Sequence, residues 1–566
     1  MTEEKLLFSF VLIMVFVSSA LSLLGPYLMG VAVDRLIAGW DTSELLTMLV
    51  WLTLIFFLQS GAVFFQNYWM IGIAQNVVFS MRNQLFSHLQ KLPVSFFQKR
   101  QHGELMSRLT NDMENVSRTL NSAVIQVVTS TLTVLGTIVV MFWLSPILTL
   151  LTLTIVPAMF GGMKWITNRT GVYFKEQQKT LGDMNGYIEE TLSGQKIVKM
   201  FSQEDRVIHE FEQKNEALRN SSYWAQTYSG FIPKLMNMLN NVSFAIIVGI
   251  GGILALKGSI SIGVIVTFTT YSRQFTRPLN DLANQFNMIL SAVAGAERVF
   301  QIMDEKEEKS DESAAREIEE IKGDIRFDSV SFSYEKDVAT LNNVSFHASP
   351  GMTVALVGPT GAGKTTIISL LSRFYEVQAG HIYIDGQDIK SITRDSLRNK
   401  MAFVLQDSVI FQTTVKENIR YGKLDASDEE VLEAAKAANA HDFIMKLPKG
   451  YDTVLDAEGS GISHGQRQLL SIARAMLADP SLLILDEATS SIDTITEMKI
   501  NEALTKLMSG RTSFVIAHRL NTIQNADKII VLKHGEIIEQ GSNRELLEAG
   551  GFYAELVKTQ RQKGIG

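Results

Sequence analysis

The 566-residue chain contains no cysteine, which excludes disulfide bonds and thiolate metal sites. Its formal net charge of −7 is small for this length, so no basic surface for nucleic acid is expected. The sequence also has no repeat of solenoid period and no low-complexity tract. Apolar residues make up 46 % of the chain, and long apolar runs dominate its N-terminal half.

Six apolar runs are long enough to cross a bilayer, which takes about 20 helical residues. They lie at residues 6–33, 45–75, 121–144, 146–168, 236–257 and 261–285. The first run extends past signal-peptide length and has no basic leader, so we expect it to be a membrane span. The sequence therefore predicts an α-helical polytopic membrane domain with six transmembrane helices.

Lysine and arginine are concentrated in the connections that follow the second and fourth runs. The first of these connections carries Arg82, Lys91, Lys99, Arg100, Arg108 and Arg118, and the other is longer and also basic. The positive-inside rule places both in the cytoplasm. Helical periodicity with many charges at residues 172–190 predicts that the membrane helices continue as long cytoplasmic extensions.

A charged stretch at residues 304–323 has few large apolar residues, and we interpret it as a solvated linker. The sequence beyond it has the mixed composition of a soluble α/β domain. Residues 325–327 and 330–332 alternate as strands do.

A glycine-rich segment follows the short apolar run 354–357, which suits a buried strand. It matches the pattern G-x-x-x-x-G-K-[ST] and comprises Gly358, Pro359, Thr360, Gly361, Ala362, Gly363, Lys364, Thr365 and Thr366. In such a loop the backbone N–H groups wrap phosphate, the lysine pairs with the β- and γ-phosphates, and the first threonine hydroxyl binds Mg²⁺. A helix-like run follows, whose positive N-terminus would point at the phosphates. The segment predicts a site for ATP and Mg²⁺.

An acidic pair, Asp486 and Glu487, ends the apolar run 482–485. Carboxylates are poor packing residues at the end of a buried strand, whereas phosphoryl transfer needs a metal ion and an aligned nucleophile. The phosphate loop and this pair together predict one ATP-hydrolysing site written in two halves.

With six spans followed by this ATPase, the chain resembles a half-transporter of the ABC exporter superfamily, of the type related to bacterial lipid flippases and multidrug exporters. The resemblance implies a transmembrane domain at 1–303, a linker at 304–323 and an α/β P-loop nucleotide-binding domain of the ABC type at 324–566. It implies ATP-driven export of amphipathic drugs or lipids across the cell inner (plasma) membrane, with the nucleotide-binding domain in the cytoplasm. A lipid flippase and a peptide exporter are the alternatives.

The resemblance also assigns roles around the γ-phosphate. Asp486 would hold Mg²⁺ through water, and Glu487 would polarise the attacking water. Gln406 would contact both Mg²⁺ and that water, because its amide carries a donor and an acceptor. His518 would contact the γ-phosphate.

Two further residues match nucleotide contacts of the family. Tyr334 lies where an aromatic ring stacks on adenine, although an isolated aromatic in a strand is more often a core residue. Asp493 lies in the loop that crosses to the opposite nucleotide-binding domain.

The signature loop departs from the family pattern Leu-Ser-Gly-Gly-Gln. The chain reads Ile462, Ser463, His464, Gly465 and Gln466, so a histidine replaces a glycine. We expect its Cβ and imidazole to restrict the backbone and to crowd the γ-phosphate that this loop covers.

A second departure lies just upstream, where Asp456 and Ala457 stand in place of the usual Gly-Glu. Neutral drift in a homodimer with two equal sites is one interpretation of both departures. The other is a heterodimer in which this chain keeps the catalytic glutamate and its altered signature covers a weak site on a paralogous half-transporter.

The inner connections contain two candidate coupling segments, residues 95–105 and 194–201, where the family has short helices that dock on nucleotide-binding domains. Polar groups inside the apolar runs, among them Arg273 and Arg277, are expected to face the bundle interior or a water-filled cavity. The sequence does not choose between cargoes.

Overall fold

The computed structural model describes residues 2–39, 42–274, 276–335, 339–405, 408–456, 461–487, 493–517 and 523–563. The chain divides into two compact units. Unit 1 comprises Met1–Lys91 and Arg100–Glu305, and unit 2 comprises Leu92–Lys99 and Lys306–Gly566. A short segment of the N-terminal half therefore belongs with the C-terminal unit.

The N-terminal half is helical. Its helices are α1 (Thr2–Ile37), α2 (Thr42–Leu89), α3 (Val94–Lys99), α4 (His102–Ser107), α5 (Met113–Arg118), α6 (Val124–Leu144), α7 (Pro146–Leu153), α8 (Ile155–Ser193), α9 (Gln195–Met200), α10 (Glu204–Leu256), α11 (Ile262–Gln274) and α12 (Thr276–Met303). Two π-helical turns, Arg108–Asp112 and Thr119–Ala123, join α4, α5 and α6 into one helical segment. Of these helices, α3 belongs to unit 2.

The helices of unit 1 are longer than a membrane requires. Five helical segments in the described residues are long and apolar enough to span a bilayer; they contain the first four predicted runs and the fifth as far as Leu256. The longest, α10, has 53 residues. At 1.5 Å per residue it extends about 80 Å, against about 30 Å of hydrocarbon. The predicted continuation of the membrane helices beyond their apolar runs is confirmed.

The sixth predicted span, 261–285, is divided between α11 and α12. These helices lie on either side of Phe275, which is outside the described residues. The sixth span is not among the five segments counted above and stays a prediction.

The core of unit 1 consists of separate apolar clusters between its helices. One cluster joins α1, α2 and α6 through Val11, Val15, Met70, Ile73 and Ile125. A second joins α6, α7, α10 and α11 through Met141, Leu148, Ile247, Phe268 and Tyr271. Many large apolar side chains of these helices remain exposed, as a lipid-facing surface requires.

Unit 2 contains two β-sheets. Its strands are β1 (Ile325–Phe332), β2 (Leu341–Ala348), β3 (Thr353–Val357), β4 (Ala379–Ile384), β5 (Gln387–Asp388), β6 (Met401–Val404), β7 (Leu482–Glu487), β8 (Thr512–Ala517), β9 (Lys528–Lys533) and β10 (Glu536–Gly541). The antiparallel sheet has the order β2-β1-β4-β5, and the six-stranded sheet has the order β10-β9-β3-β8-β7-β6. The strand residues predicted at 325–327 and 330–332 lie in one strand, β1, which changes register between them.

Helices pack against both sheets. They are α13 (Lys364–Leu371), α14 (Arg394–Arg398), α15 (Val415–Arg420), α16 (Asp428–Ala437), α17 (His441–Ile444), α18 (His464–Ala478), α19 (Thr494–Met508), α20 (Asn543–Ala549) and α21 (Phe552–Lys563). Two large buried apolar clusters share the six-stranded sheet. Unit 2 is therefore an α/β domain.

The central strands of the six-stranded sheet run parallel, so their carboxyl ends meet at one edge. Leu356 of β3 pairs with Ile516 of β8, and Glu487 of β7 pairs with Ala517 of β8. Ligands of open α/β sheets bind at this edge. The phosphate loop and the acidic pair both lie there.

The connection that follows unit 1 is docked onto unit 2. Asp311 Oδ1 lies 2.6 Å from Arg394 Nη1, and Glu308 Oε1 lies 2.6 Å from Arg398 Nη2. Further along, Ile318 is buried in the apolar core. The expectation of a solvated linker is wrong because acidic residues of this stretch are paired with arginines of the domain.

Candidate active site

The phosphate loop joins the end of β3 to the start of α13. Gly358 has φ 153° and Gly363 has φ 101°, which L-residues rarely adopt. A Cβ on Gly358 would lie 2.1 Å from the Leu532 carbonyl oxygen, and a Cβ on Gly363 would lie 2.6 Å from Leu341 Cδ2. Only glycine fits these two positions, so the loop can turn tightly and present its N–H groups at the helix N-terminus.

Lys364, the first residue of α13, bonds to the backbone of the phosphate loop through its side chain. Its ammonium group donates to the carbonyl oxygens of Gly358 at 2.7 Å and of Pro359 at 3.0 Å. Burial lowers the pKa of Lys364, and the nearby charge of Asp486 opposes this shift. The lysine is thus a partly desolvated cation held over the loop and within electrostatic reach of the acidic strand end.

The acidic pair ends β7, which is separated from β3 by one strand, β8. Asp486 is half-buried and lies at the same edge of the sheet as the phosphate loop, and its charge favours the protonated form of Lys364. Glu487 is the last residue of β7, and its side chain lies outside the described residues. His518, which follows β8, and Gln406 also lie outside them.

Tyr334 stands beside the phosphate loop. Its hydroxyl donates to Thr366 Oγ1 at 3.2 Å, and 39 % of the residue is exposed. The rings of Phe332 and Tyr375 meet it edge to face at centroid distances of 4.9 and 5.0 Å. The ring is therefore held in a fixed orientation with surface free for a base.

Tyr375 connects this aromatic group to α3. Its hydroxyl donates to Gln98 Oε1 at 2.5 Å, within unit 2. Burial raises the pKa of Tyr375, so the hydroxyl keeps its proton beyond the pH at which a free tyrosine ionises. Tyr375 was not predicted as a site residue, because an aromatic residue after a helix carries no motif.

The signature loop forms the start of α18. Ser463 is the N-cap: its Oγ accepts from Gln466 N at 3.3 Å, and its own N–H donates to Gln466 Oε1 at 2.8 Å. Gly465 is buried. This reciprocal capping fixes the helix N-terminus, where backbone N–H groups are available to an anion.

His464 is the first residue of α18 and does not have positive φ. The expectation that its Cβ restricts the backbone is wrong, because any L-residue adopts the helical conformation. The half-buried imidazole has an Nδ1 that is buried without a hydrogen-bond partner among the described residues. Of the upstream departure, Asp456 is exposed and Ala457 lies outside the described residues.

Asp493 is the N-cap of α19. Its Oδ1 accepts from Thr496 N at 3.0 Å, and this bond lowers the pKa of the exposed carboxyl. The carboxylate is occupied in capping and remains open to solvent.

The family of the chain follows from comparison with known proteins. Residues 8–279 match the model described as the ABC transporter transmembrane region, and residues 341–490 match the model described as ABC transporter. The uncharacterized ABC transporter ATP-binding protein YfiC of Bacillus subtilis is 60 % identical over 563 residues, covering 100 % of this chain and 93 % of the relative. The chain is an ABC exporter.

Two further comparisons describe the kind of exporter. The ATP-dependent lipid A-core flippase of Syntrophus aciditrophicus is 38 % identical over 560 residues, covering 98 % of this chain and 92 % of the flippase. The solved structure of a bacterial Atm1-family ABC exporter with ATP bound has a TM-score of 0.76 at 31 % identity and covers 98 % of both chains. The exporter is thus a multi-span membrane ATPase of the lipid and multidrug type that couples ATP to transport, with its nucleotide-binding domain in the cytoplasm.

The donor set of the exporter fits Mg²⁺ held jointly with a nucleotide. Thr365 is exposed at the N-terminus of α13, and Asp486 lies near the end of β7 at the same edge of the sheet. Within the described ranges no group of three acidic or histidine side chains forms a site that binds metal alone. Mg²⁺ in such ATPases takes one or two protein ligands and completes its shell with phosphate oxygens and water.

Proposed function

We propose that the exporter hydrolyses ATP at its own phosphate loop and strand-end carboxylates, and that this drives export of amphipathic compounds by alternating access. The observation that carries the proposal is the convergence of the loop, Lys364 and Asp486 at one edge of the six-stranded sheet. An incoming triphosphate replaces the loop carbonyls as the partner of Lys364. Because the phosphates are charged, the new contacts are stronger than the bonds they replace.

The remaining groups act on the γ-phosphate. Thr365, Asp486 and Gln406 would hold Mg²⁺, which would neutralise charge on the phosphates. Glu487 orients and polarises the attacking water, and His518 contacts the γ-phosphate. Proximity and charge stabilisation together carry the chemistry, because phosphoryl transfer needs little covalent help from the protein.

The aromatic cluster of Phe332, Tyr334 and Tyr375 serves both adenine binding and the coupling of nucleotide binding to the membrane helices. Tyr334 stacks the base, and Tyr375 joins that ring to Gln98 of α3. Only a short turn separates the end of α2 from the start of α3, and α3 belongs to unit 2. A change at the nucleotide site that moves α3 would therefore act on the membrane helix α2. The other coupling segment forms α9, whose Ile197 and Met200 are exposed for docking on a nucleotide-binding domain.

The boundaries that accompany this function are a transmembrane domain at 1–303, a connection at 304–323 and a nucleotide-binding domain at 324–566. Two nucleotide-binding domains close on two ATP molecules and turn the transport pathway outward, and hydrolysis resets it. Each site needs the signature loop of the other subunit.

The second subunit is a paralogous half-transporter. Glycines at 358 and 363 and the acidic pair preserve the catalytic side of this chain, whereas His464 and Asp456 alter the side that it offers to its partner. The imidazole of His464 adds bulk beside the N-terminus of α18, where the γ-phosphate would approach. A heterodimer with one competent and one weak site accounts for this asymmetry.

A homodimer with two equal sites is the second candidate. The observation in its favour is the helical backbone of His464, which a residue with a Cβ adopts without strain. In that case the imidazole would have to leave room for phosphate by rotating about its side-chain bonds.

ATP hydrolysis by the purified chain, alone and mixed with a paralogous half-transporter, separates the two. The heterodimer predicts low hydrolysis and transport by the single chain, a gain on mixing, and a gain on His464→Gly in the single chain. The control is Glu429→Gln, a change at an exposed acid of α16, which should leave the rates unaltered. Equal rates for the single chain and for every mixture would exclude the heterodimer.

Membership of this exporter family indicates that the cargo is an amphipathic drug or lipid. The relative that is a lipid A-core flippase supports lipid among these. A peptide exporter is the remaining alternative, and transport assays with labelled lipid, drug and peptide in proteoliposomes distinguish the three.

A further inference from the structure

A pocket of about 570 Å³ lies in unit 1 among α1, α6, α10, α11 and α12. Its lining residues include Arg273, Arg277, Thr129 and Phe244, together with Thr269 and Thr270, whose hydroxyls donate to the Val266 carbonyl oxygen. A volume of this size is typical of small-molecule pockets. The lining therefore combines two cationic side chains with an aromatic one.

The two arginines lie inside the predicted membrane run 261–285. Ionisable groups at such a depth are costly and mark substrate pathways when they face a cavity. In the part of the chain that the structure describes, no carboxylate forms an ion pair with Arg273 or Arg277. Arg273 instead lies over the Phe244 ring at 5.5 Å. The nearby acid Asp281 accepts a hydrogen bond from Gln126 Nε2 at 2.8 Å.

Polar atoms beside the arginines are also unsatisfied. Thr129 Oγ1 and Gln274 Oε1 are buried and have no hydrogen-bond partner among the described residues. A buried polar atom without a partner is unfavourable, and of these two the Thr129 hydroxyl can donate to an anionic oxygen, whereas the amide oxygen of Gln274 can only accept. As far as the described residues extend, the pocket therefore has two unpaired positive charges and an unused hydroxyl.

We propose that this pocket binds the anionic headgroup of an amphiphilic cargo, with a carboxylate or phosphate held by Arg273 and Arg277. Guanidinium groups form charge-assisted hydrogen bonds with both anions. The Thr129 hydroxyl donates to the same headgroup, and the Phe244 face contacts the first carbons of the tail. The inference rests on the proposed export of amphipathic compounds and narrows their class to anions.

Equilibrium binding to the full exporter in zwitterionic lipid nanodiscs tests this without requiring ATP turnover. The probes are a dansyl-labelled fatty acid, its neutral methyl ester, a dansyl-labelled phosphate monoester with the same alkyl chain and a matched quaternary ammonium. We expect both anions to bind at least about tenfold more tightly than the ester and the ammonium. The ratio of carboxylate to phosphate affinity then identifies the favoured headgroup.

Three variants distinguish a loss of positive charge in the pocket from a general disturbance of the fold. The double variant Arg273→Gln/Arg277→Gln should lose the preference for anions, whereas Arg273→Lys/Arg277→Lys should retain most of it. Lys179→Gln, an exposed charge change on α8, is the control and should leave the preference intact. Equal binding of anion and ester by the unmodified exporter would overturn the inference, as would an anion preference that survives the glutamine pair. ATP hydrolysis measured on the same samples tests the proposed function separately.

Discussion

Asp311 holds two buried arginines of the nucleotide-binding domain, and its replacement by alanine should release the connection that precedes β1. Its carboxylate lies 2.6 Å from Arg394 Nη1 and 3.3 Å from Arg373 Nη1, and it accepts from Arg394 N at 3.0 Å. The arginine side chains are only 7 % and 3 % exposed. Asp311→Ala therefore leaves two nearly buried cations with one fewer partner.

The free-energy cost of Asp311→Ala depends on the partners that Arg394 and Arg373 keep in the variant. Removing one partner of a fully buried ion pair costs about 3–5 kcal/mol. Asp311 is 26 % exposed, and Glu376 still pairs with Arg394 at 2.5 Å and with Arg373 at 3.2 Å. We therefore expect about 2–3 kcal/mol for local opening of the connection, which corresponds to roughly 30- to 150-fold faster amide exchange.

Hydrogen exchange with mass spectrometry on the full exporter measures this opening. The reporting amides are Arg316 N, which donates to Ser391 O at 2.9 Å, and Ile318 N, which donates to Ser396 Oγ at 3.1 Å. Glu312→Ala, a change at the adjacent exposed acid, is the control and should leave their exchange unaltered. Unchanged exchange in Asp311→Ala, or equal acceleration in both variants, would refute the reasoning.

Two further predictions concern the nucleotide site. Gly363→Ala should weaken ATP binding more than Gly361→Ala in a nucleotide titration: both glycines have positive φ, but only a Cβ at 363 meets atoms within 4 Å. Equal affinities would show that the close contact is unimportant. Tyr375→Phe keeps the ring and loses only the bond to Gln98, worth about 0.5–1.5 kcal/mol, so transport per ATP hydrolysed should fall roughly 2- to 10-fold with ATP affinity retained. Tyr421→Phe is its control, and an unchanged transport ratio would contradict the coupling role.

The phosphate loop was predictable because its sequence leaves little choice of backbone. A buried apolar run ends at Val357, glycines follow at positions where a Cβ would collide, and a helix begins at Lys364. Parallel strands then bring Asp486 to the same edge. Each of these constraints is local or follows from sheet topology.

The docked connection was not predictable, because composition does not reveal distant partners. A charged stretch looks alike whether water or arginine neutralises it, and the partner of Asp311 lies 83 positions away. The helical backbone of His464 was missed for a related reason: a motif fixes a residue type and not its φ angle. Tyr375 acquires its role only when Gln98 and Tyr334 meet it in space.

The role of Glu487 in polarising the attacking water is tested by the rate of ATP hydrolysis of Glu487→Gln in the assembled exporter. We expect a loss of about a hundredfold or more at this chain's site with ATP binding preserved, because the amide cannot polarise the attacking water as a carboxylate does. Glu429→Gln should hydrolyse ATP at the unmodified rate. Unaltered turnover in Glu487→Gln would contradict the assignment of this chain as the hydrolysing subunit.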